Sequence, residues 1–256
     1  MSKRSRQHKA TPPPTKRARG TEQEVRNSKM NIVNLVQEIK QSFASHANPA
    51  NAARMKQYMR GKFEFFGINS PQRKELSKPY LSSKFSNQEV REFLKELWSS
   101  PERELQYFGI AYLNKHGLQF EKEEFEVNLE FARGLITEKS WWDTVDCLAD
   151  HLVGDLVRSS PRKGKQAMKL WIKDENLWLR RCAILHQLSY KCDTDSQLLF
   201  EFCALRAHEK EFFIQKAIGW ALREFAKTDR AKVSNFLKAH KEGLSRLSYR
   251  EATKHL

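Results

Sequence analysis

Residues 140–146 read SWWDTVD, two adjacent tryptophans followed by carboxylates at Asp143 and Asp146. On a helix, neighbouring residues point about 100° apart, so the two indoles cannot share the centre of one buried stripe. Asp146 falls one turn after Trp142, on the same face. A carboxylate beside a flat aromatic surface can stabilise a cationic group; burial of the ring in a core and a solvated or salt-bridged acid are the competing readings. Metal chemistry is poorly served. Cys147, Cys182, Cys192 and Cys203 stand 35, 10 and 11 residues apart with no CxxC, which suits neither a zinc site nor a disulfide framework. His186, in ILHQL, has no second His or acid at ligand spacing, so it reads as structural and no metal is expected. The thiols are expected to be reduced and mostly buried.

Charge narrows the partner. The chain carries a net +15 and a pI near 9.7. Residues 1–29 hold nine Lys/Arg against Glu22 and Glu24, which leaves +8 on the rest, so the folded part is basic on its own account. A polyanion, nucleic acid first, is the natural partner. No run approaches the ~20 apolar residues of a membrane span, and the start MSKRSRQHKA has no apolar core of a secretory signal, so neither a membrane nor a secreted protein is expected.

The elements that must position these residues are helical. Segments 1–29 contain a PPP run and almost no apolar side chain larger than Ala, which predicts a disordered tail. Its clusters KRSR (3–6) and KRAR (16–19) suit a nuclear-import signal or a DNA-binding arm; mitochondrial import and a cytoplasmic location are the alternatives. From about residue 30 to 256 a single domain follows. NIVNLVQEIKQSF, NQEVREFLKELW, ERELQYFGIAYLNKH and DSQLLFEFCALRA place apolar residues at i, i+3, i+4 and i+7, and alternating strand patterns are absent. Asn69-Ser70-Pro71, Ser99-Ser100-Pro101 and Ser160-Pro161 read as caps followed by an early proline. Aligning ELQYFGIAYL, WWDTVDCLADHL, LWLRRCAILHQL and FIQKAIGWALREF puts Tyr107, Asp146, Arg181 and Trp220 in register at intervals of 39, 35 and 39. Two helices per such period predict an all-α superhelical solenoid of HEAT-like repeats, with a compact all-α domain as the other arrangement.

In order and spacing, MKQYMRGKFEFFGINSPQRK, SWWDTVD, LWLRRCAILHQL, QKAIGWALREF and SRLSYREATKHL resemble the AlkD family of DNA alkylation repair glycosylases. The resemblance spans roughly residues 31–256. It implies a HEAT-like superhelix that clamps duplex DNA in a concave groove and hydrolyses the N-glycosidic bond of N3- and N7-alkylated purines without metal or organic cofactor. It also implies roles one by one. The catalytic aspartate matches Asp146, the two lesion-proximal tryptophans match Trp142 and Trp220, the groove arginine matches Arg181, and an N-terminal tyrosine matches Tyr58. The basic tail lies outside the resemblance.

The residues can support that chemistry. Alkylation makes the purine a cationic leaving group that needs no general acid, and the bond loosens towards an oxocarbenium-like sugar that a carboxylate stabilises. Asp143, about 100° further round than Trp142, reads as a structural or helix-N-terminal acid. No lysine stands at a matching stripe position for a lyase route, which leaves hydrolysis. Arg60, Lys62, Arg73, Lys74, Arg180, Lys216 and Arg223 include the candidate phosphate contacts. A groove that wraps duplex DNA suits a monomer. The rival reading is a non-catalytic repeat protein that binds damaged or branched DNA, or an acidic protein, and has no use for Asp146.

Overall fold

The computed structural model describes the backbone of residues 16–118 and 124–256, with side chains from Lys29 onward. Its elements are helices: α1 (Lys16–Ala44), α2 (Pro49–Tyr58), α3 (Ser70–Ser77), α4 (Asn87–Ser99), α5 (Arg103–His116), α6 (Phe125–Thr137), α7 (Trp142–Cys147), α8 (Gly154–Ser159), α9 (Pro161–Trp171), α10 (Leu177–Leu185), α11 (Ser196–Leu205), α12 (Phe212–Ala226), α13 (Arg230–Ala239) and α14 (Arg246–Ala252). A π-helical segment, Leu148–Val153, joins α7 to α8 in one continuous helical run. The only β feature among the described residues is an isolated bridge between Glu64 and Glu102.

The helices stack as repeats. In one layer α5, α7 with the π segment, α10, α12 and α14 pack each on the next in chain order; α4, α6, α9, α11 and α13 form the other layer. This is a helical-repeat solenoid, and one apolar cluster runs through it from Ile32 to Ala252. Each repeat alone would leave an apolar face in water, so stacking is what stabilises it. Ion pairs stitch the first layer across repeat boundaries: Arg103 of α5 to Asp143 of α7, Arg181 of α10 to Asp146 of α7, and Arg223 of α12 to Glu251 of α14. Among the described residues no helix is long and apolar enough to cross a membrane.

Two local expectations are revised. Composition ends the disordered tail at residue 29, whereas α1 starts at Lys16; residues 1–15 lie outside the described residues. Residues 16–29 contain no proline and hold three Arg, two Lys and two Glu, good helix formers that extend a helix anchored by the buried stripe Ile32, Val36, Ile39 and Phe43. The Ser100-Pro101 pair does not open α5. Glu102 is the N-cap residue, because the Arg103 amide is taken by the Glu64 carbonyl at 2.8 Å and holds the chain extended one residue longer. At Asn69 the expected cap is present, its side chain accepting from the Gln72 amide at 3.0 Å. Of the cysteines, Cys182 and Cys203 are buried, Cys147 is half-buried and Cys192 is exposed.

Candidate active site

The two tryptophans part because the backbone changes conformation between them. Trp141 is the extended residue before α7, at φ −160° and ψ 159°, and buries its ring against Trp178 at 5.7 Å and Phe213 at 5.1 Å. Trp142 opens the helix and stays half-buried. Its ring meets Tyr58 edge-on, 6.4 Å between centroids and 77° between planes. Tyr58 ends α2 and is 71% exposed. An exposed tyrosine leaning on a half-buried tryptophan leaves aromatic surface open to a ligand.

The loop that carries α2 to α3 is fixed from below. Glu104, wholly buried at the start of α5, accepts from the amides of Phe66 (3.2 Å), Gly67 (2.8 Å) and Ile68 (3.2 Å). Gly67 adopts φ +87°, and an added Cβ would lie 2.6 Å from the Ala52 nitrogen, so only glycine fits there. Asn51 of α2 donates to the Gly67 carbonyl at 2.6 Å. Together these bonds fix the loop on α5 and hold Tyr58 beside Trp142 of α7.

The two carboxylates have different surroundings. Asp143 is saturated: it accepts from Arg103 Nε at 3.0 Å, Arg103 Nη2 at 2.7 Å and the Tyr107 hydroxyl at 2.6 Å. Arg103 has no exposed surface, and its remaining donors reach the Lys139 carbonyl and Thr144 Oγ1. Asp146 has one partner among the described residues. Arg181 grips it with Nε at 2.7 Å from Oδ1 and Nη2 at 2.8 Å from Oδ2, while Nη1 donates to the Phe213 carbonyl. Burial pushes the Asp146 carboxyl above its ordinary pKa, and the Arg181 hydrogen bonds and charge pull it back. Its side chain retains 13% exposure, so an outside group can still reach it.

Asp146 and Arg181 are thus directly bonded, and Trp142 and Tyr58 are in ring contact one turn away. Trp220 lies half-buried on α12, the helix beyond α10, with no hydrogen bond or ring contact to the other four among the described residues. Arg181 is a buried residue, 4% exposed, whose donors are directed to protein oxygens. Of the other bases, Arg180 is committed to Glu209, and Lys216 and Arg223 to Glu251, whereas Arg60 and Lys62 sit over the Trp141 ring. Sequence reasoning did not find Arg103 and Glu104. They form consecutive buried charges at the start of α5, where only helical periodicity was legible. Among the described residues no group of three His, Cys, Asp or Glu is placed to hold a metal.

A repeat solenoid with a guanidinium-held carboxylate beside exposed aromatic surface is a scaffold for a large, extended ligand. Residues 39–256 match the family model described as DNA alkylation repair enzyme, and the chain belongs to that family. A solved structure titled "Predicted DNA alkylation repair enzyme from Enterococcus faecalis" is 32% identical and covers 82% of this chain and 96% of its own, with a TM-score of 0.73. No curated protein matches the chain.

Proposed function

We propose that this protein is an AlkD-type DNA glycosylase. It hydrolyses the N-glycosidic bond of N3- and N7-alkylated purines in duplex DNA, acting as a monomer built of HEAT-like repeats. The observation that carries the reading is Asp146, oriented through both oxygens by Arg181 yet still reachable, one helical turn from Trp142. A fixed carboxylate next to C1′ stabilises the positive charge that develops on the deoxyribose and orients the attacking water, with no reorganisation needed at the moment of reaction. Arg181 keeps that carboxylate ionised despite its burial; we assign it this holding role, and contact with DNA through it is secondary. Trp142 and Tyr58 offer electron-rich faces to the cationic nucleotide and its sugar, and Trp220 supplies a further aromatic surface along the same layer. The leaving purine is already cationic, so no general acid is required. The basic clusters in residues 1–29 serve nuclear import, with a DNA-binding arm as their second use.

The test is direct. Duplex DNA treated with a methylating agent is incubated with the protein, and free bases are separated by chromatography. Release of 3- and 7-methylpurines is expected, with none of uracil or hypoxanthine from duplexes carrying those neutral bases. Failure to release any methylpurine at saturating enzyme removes the reading and leaves a non-catalytic DNA binder.

A further inference from the structure

The arginines along the first layer and on the neighbouring α3 differ in whether they are paired. Arg103, Arg180, Arg181 and Arg223 each lie on a carboxylate. Arg73 does not. It stands on α3, half-buried, with its guanidinium 4.5 Å from the centroid of the Tyr107 ring and no side-chain hydrogen bond or ion pair among the described residues. The carboxylate that acts on it, Glu104, is already spent on three backbone amides. Tyr107 cannot serve as a counter-ion either: its hydroxyl donates to Asp143, and burial raises its pKa well beyond the usual phenol range. Desolvation lowers the pKa of Arg73 itself. A half-buried cation with no hydrogen-bonded anion among the described residues is a costly arrangement in the free protein, and one that an incoming anion relieves.

Arg73 faces a cleft of about 450 Å³ that also takes in Arg54, Ser70, Tyr58, Trp142 and Asp143. Arg54 is exposed and has no acid partner among the described residues. The remaining lining is apolar, including Met55, Met59 and Phe65. Volume and composition fit an ordered ligand fragment with one charged end. Two free guanidiniums repel a cationic purine, so the cleft is not a receptacle for the alkylated base. They attract a phosphate, which Arg binds through a planar fork.

We infer that this cleft seats one deoxyribose-phosphate unit of the DNA backbone, its phosphate on Arg73 and Arg54 and its sugar against Tyr58 and Met55. This rests on the reading that DNA lies along Trp142. The bound phosphate fixes the strand's register, so that the nucleotide touching Trp142 is the one presented to Asp146.

The experiment uses the full-length protein and a duplex with one tetrahydrofuran abasic analogue to fix register. Single neutral methylphosphonates are placed at each position within several nucleotides of it, on both strands. Wild-type protein should lose affinity on the order of tenfold at one position, the loss of a charge-assisted contact. In Arg73→Gln that position should become silent, while affinity for the all-phosphate duplex drops by the same factor. Arg73→Lys, which keeps the charge without the fork, should retain the position with a smaller loss. Lys238→Gln, at an exposed position on α13 in the other layer, should leave the profile unchanged. Thermal melts check that each variant is folded. If Arg73→Gln binds the all-phosphate duplex as tightly as wild type, or keeps the full methylphosphonate effect, the inference is overturned. Base release is measured separately on methylated DNA. Its absence would remove the glycosylase reading while the phosphate cycle still stands or falls on its own.

Discussion

Arg181 binds both carboxylate oxygens of Asp146 across the boundary between successive repeats, at 2.7 and 2.8 Å. The pair ties α7 to α10 and sets the direction in which the carboxylate faces. Asp146→Asn keeps the shape but replaces one acceptor oxygen with an amide and removes the charge. Base release from methylated duplex is expected to fall on the order of 10²-fold or more, with DNA affinity nearly unchanged. Single-turnover kinetics with a binding titration separate the two effects; release near the wild-type rate would remove Asp146 from the chemistry.

Substituting the other partner should make activity and stability respond to pH in opposite directions. In Arg181→Gln, burial still raises the Asp146 pKa and nothing comparable lowers it. Catalysis needs the ionised form, so the acid limb of the rate profile should move to higher pH. A carboxyl whose folded pKa is raised contributes stability below its unfolded pKa and loses it as pH rises through the folded value. The variant should therefore be closest to wild type in mild acid and weakest at neutral pH, where breaking a buried pair costs on the order of 3 kcal/mol. Rate profiles and urea melts across pH 5–8 read both limbs; an unshifted acid limb would mean that Arg181 does not govern this ionisation.

The solenoid was legible because amphipathic periodicity is a local signal. The register of 39, 35 and 39 put Tyr107, Asp146, Arg181 and Trp220 on α5, α7, α10 and α12, successive members of one layer. Partner choice was not legible. Nothing near Arg103 announces Asp143, 40 residues on, and nothing near Glu104 announces the amides of residues 66–68. These contacts are decided by how repeats stack, which no short window records. The same limit applies to SWWDTVD. Helical spacing alone separates the two indoles by an angle, whereas Trp141 is extended and leaves in another direction altogether.

Trp220 depends on its neighbour for its place. A Cβ at Gly219 would collide with the Glu251 Cβ and approach the Ser248 carbonyl to 2.9 Å, so α12 and α14 meet over a bare backbone. Gly219→Ala should separate these helices and destabilise the protein by about 1–3 kcal/mol, with a loss of base release from the displaced indole. Gly134, also helical, has nothing within 4 Å of an added Cβ. Gly134→Ala should be neutral or stabilising by up to about 1 kcal/mol. Chemical melts of both variants provide the contrast; equal effects would mean that crowding at α14 is not the cause.

His186 gives the fold an acid-sensitive point. It is buried, its Nδ1 lies 2.8 Å from the Ala183 carbonyl, and Nε2 has no hydrogen-bond partner among the described residues. Burial lowers its pKa to about 4, against about 6.5 when free. The neutral ring's contribution is therefore present above pH 6.5 and is lost as pH falls towards 4, a change on the order of 3 kcal/mol. His186→Leu should flatten that part of the stability profile, whatever its effect at pH 7. Urea melts at half-unit steps from pH 7 to 4 give the slope, and an unchanged slope would place the acid sensitivity elsewhere.

Truncation at the N-terminus tests where the solenoid begins. Among the described residues the buried stripe that anchors α1 starts at Ile32, and Met30 is 59% exposed. A chain starting at Lys29 should keep its melting temperature within a few degrees and its single-turnover excision on short duplexes. DNA affinity should fall modestly, and the dependence of log K on log salt should become shallower, because fewer Lys/Arg displace counterions from phosphates. In cells the truncated protein should lose nuclear enrichment, and residues 1–29 fused to a reporter should confer it. Delivery of the reporter to mitochondria would overturn the import reading. Loss of excision on a short duplex at saturating enzyme would place part of the tail in the active site, and the boundary would then move towards the start of α1 at Lys16.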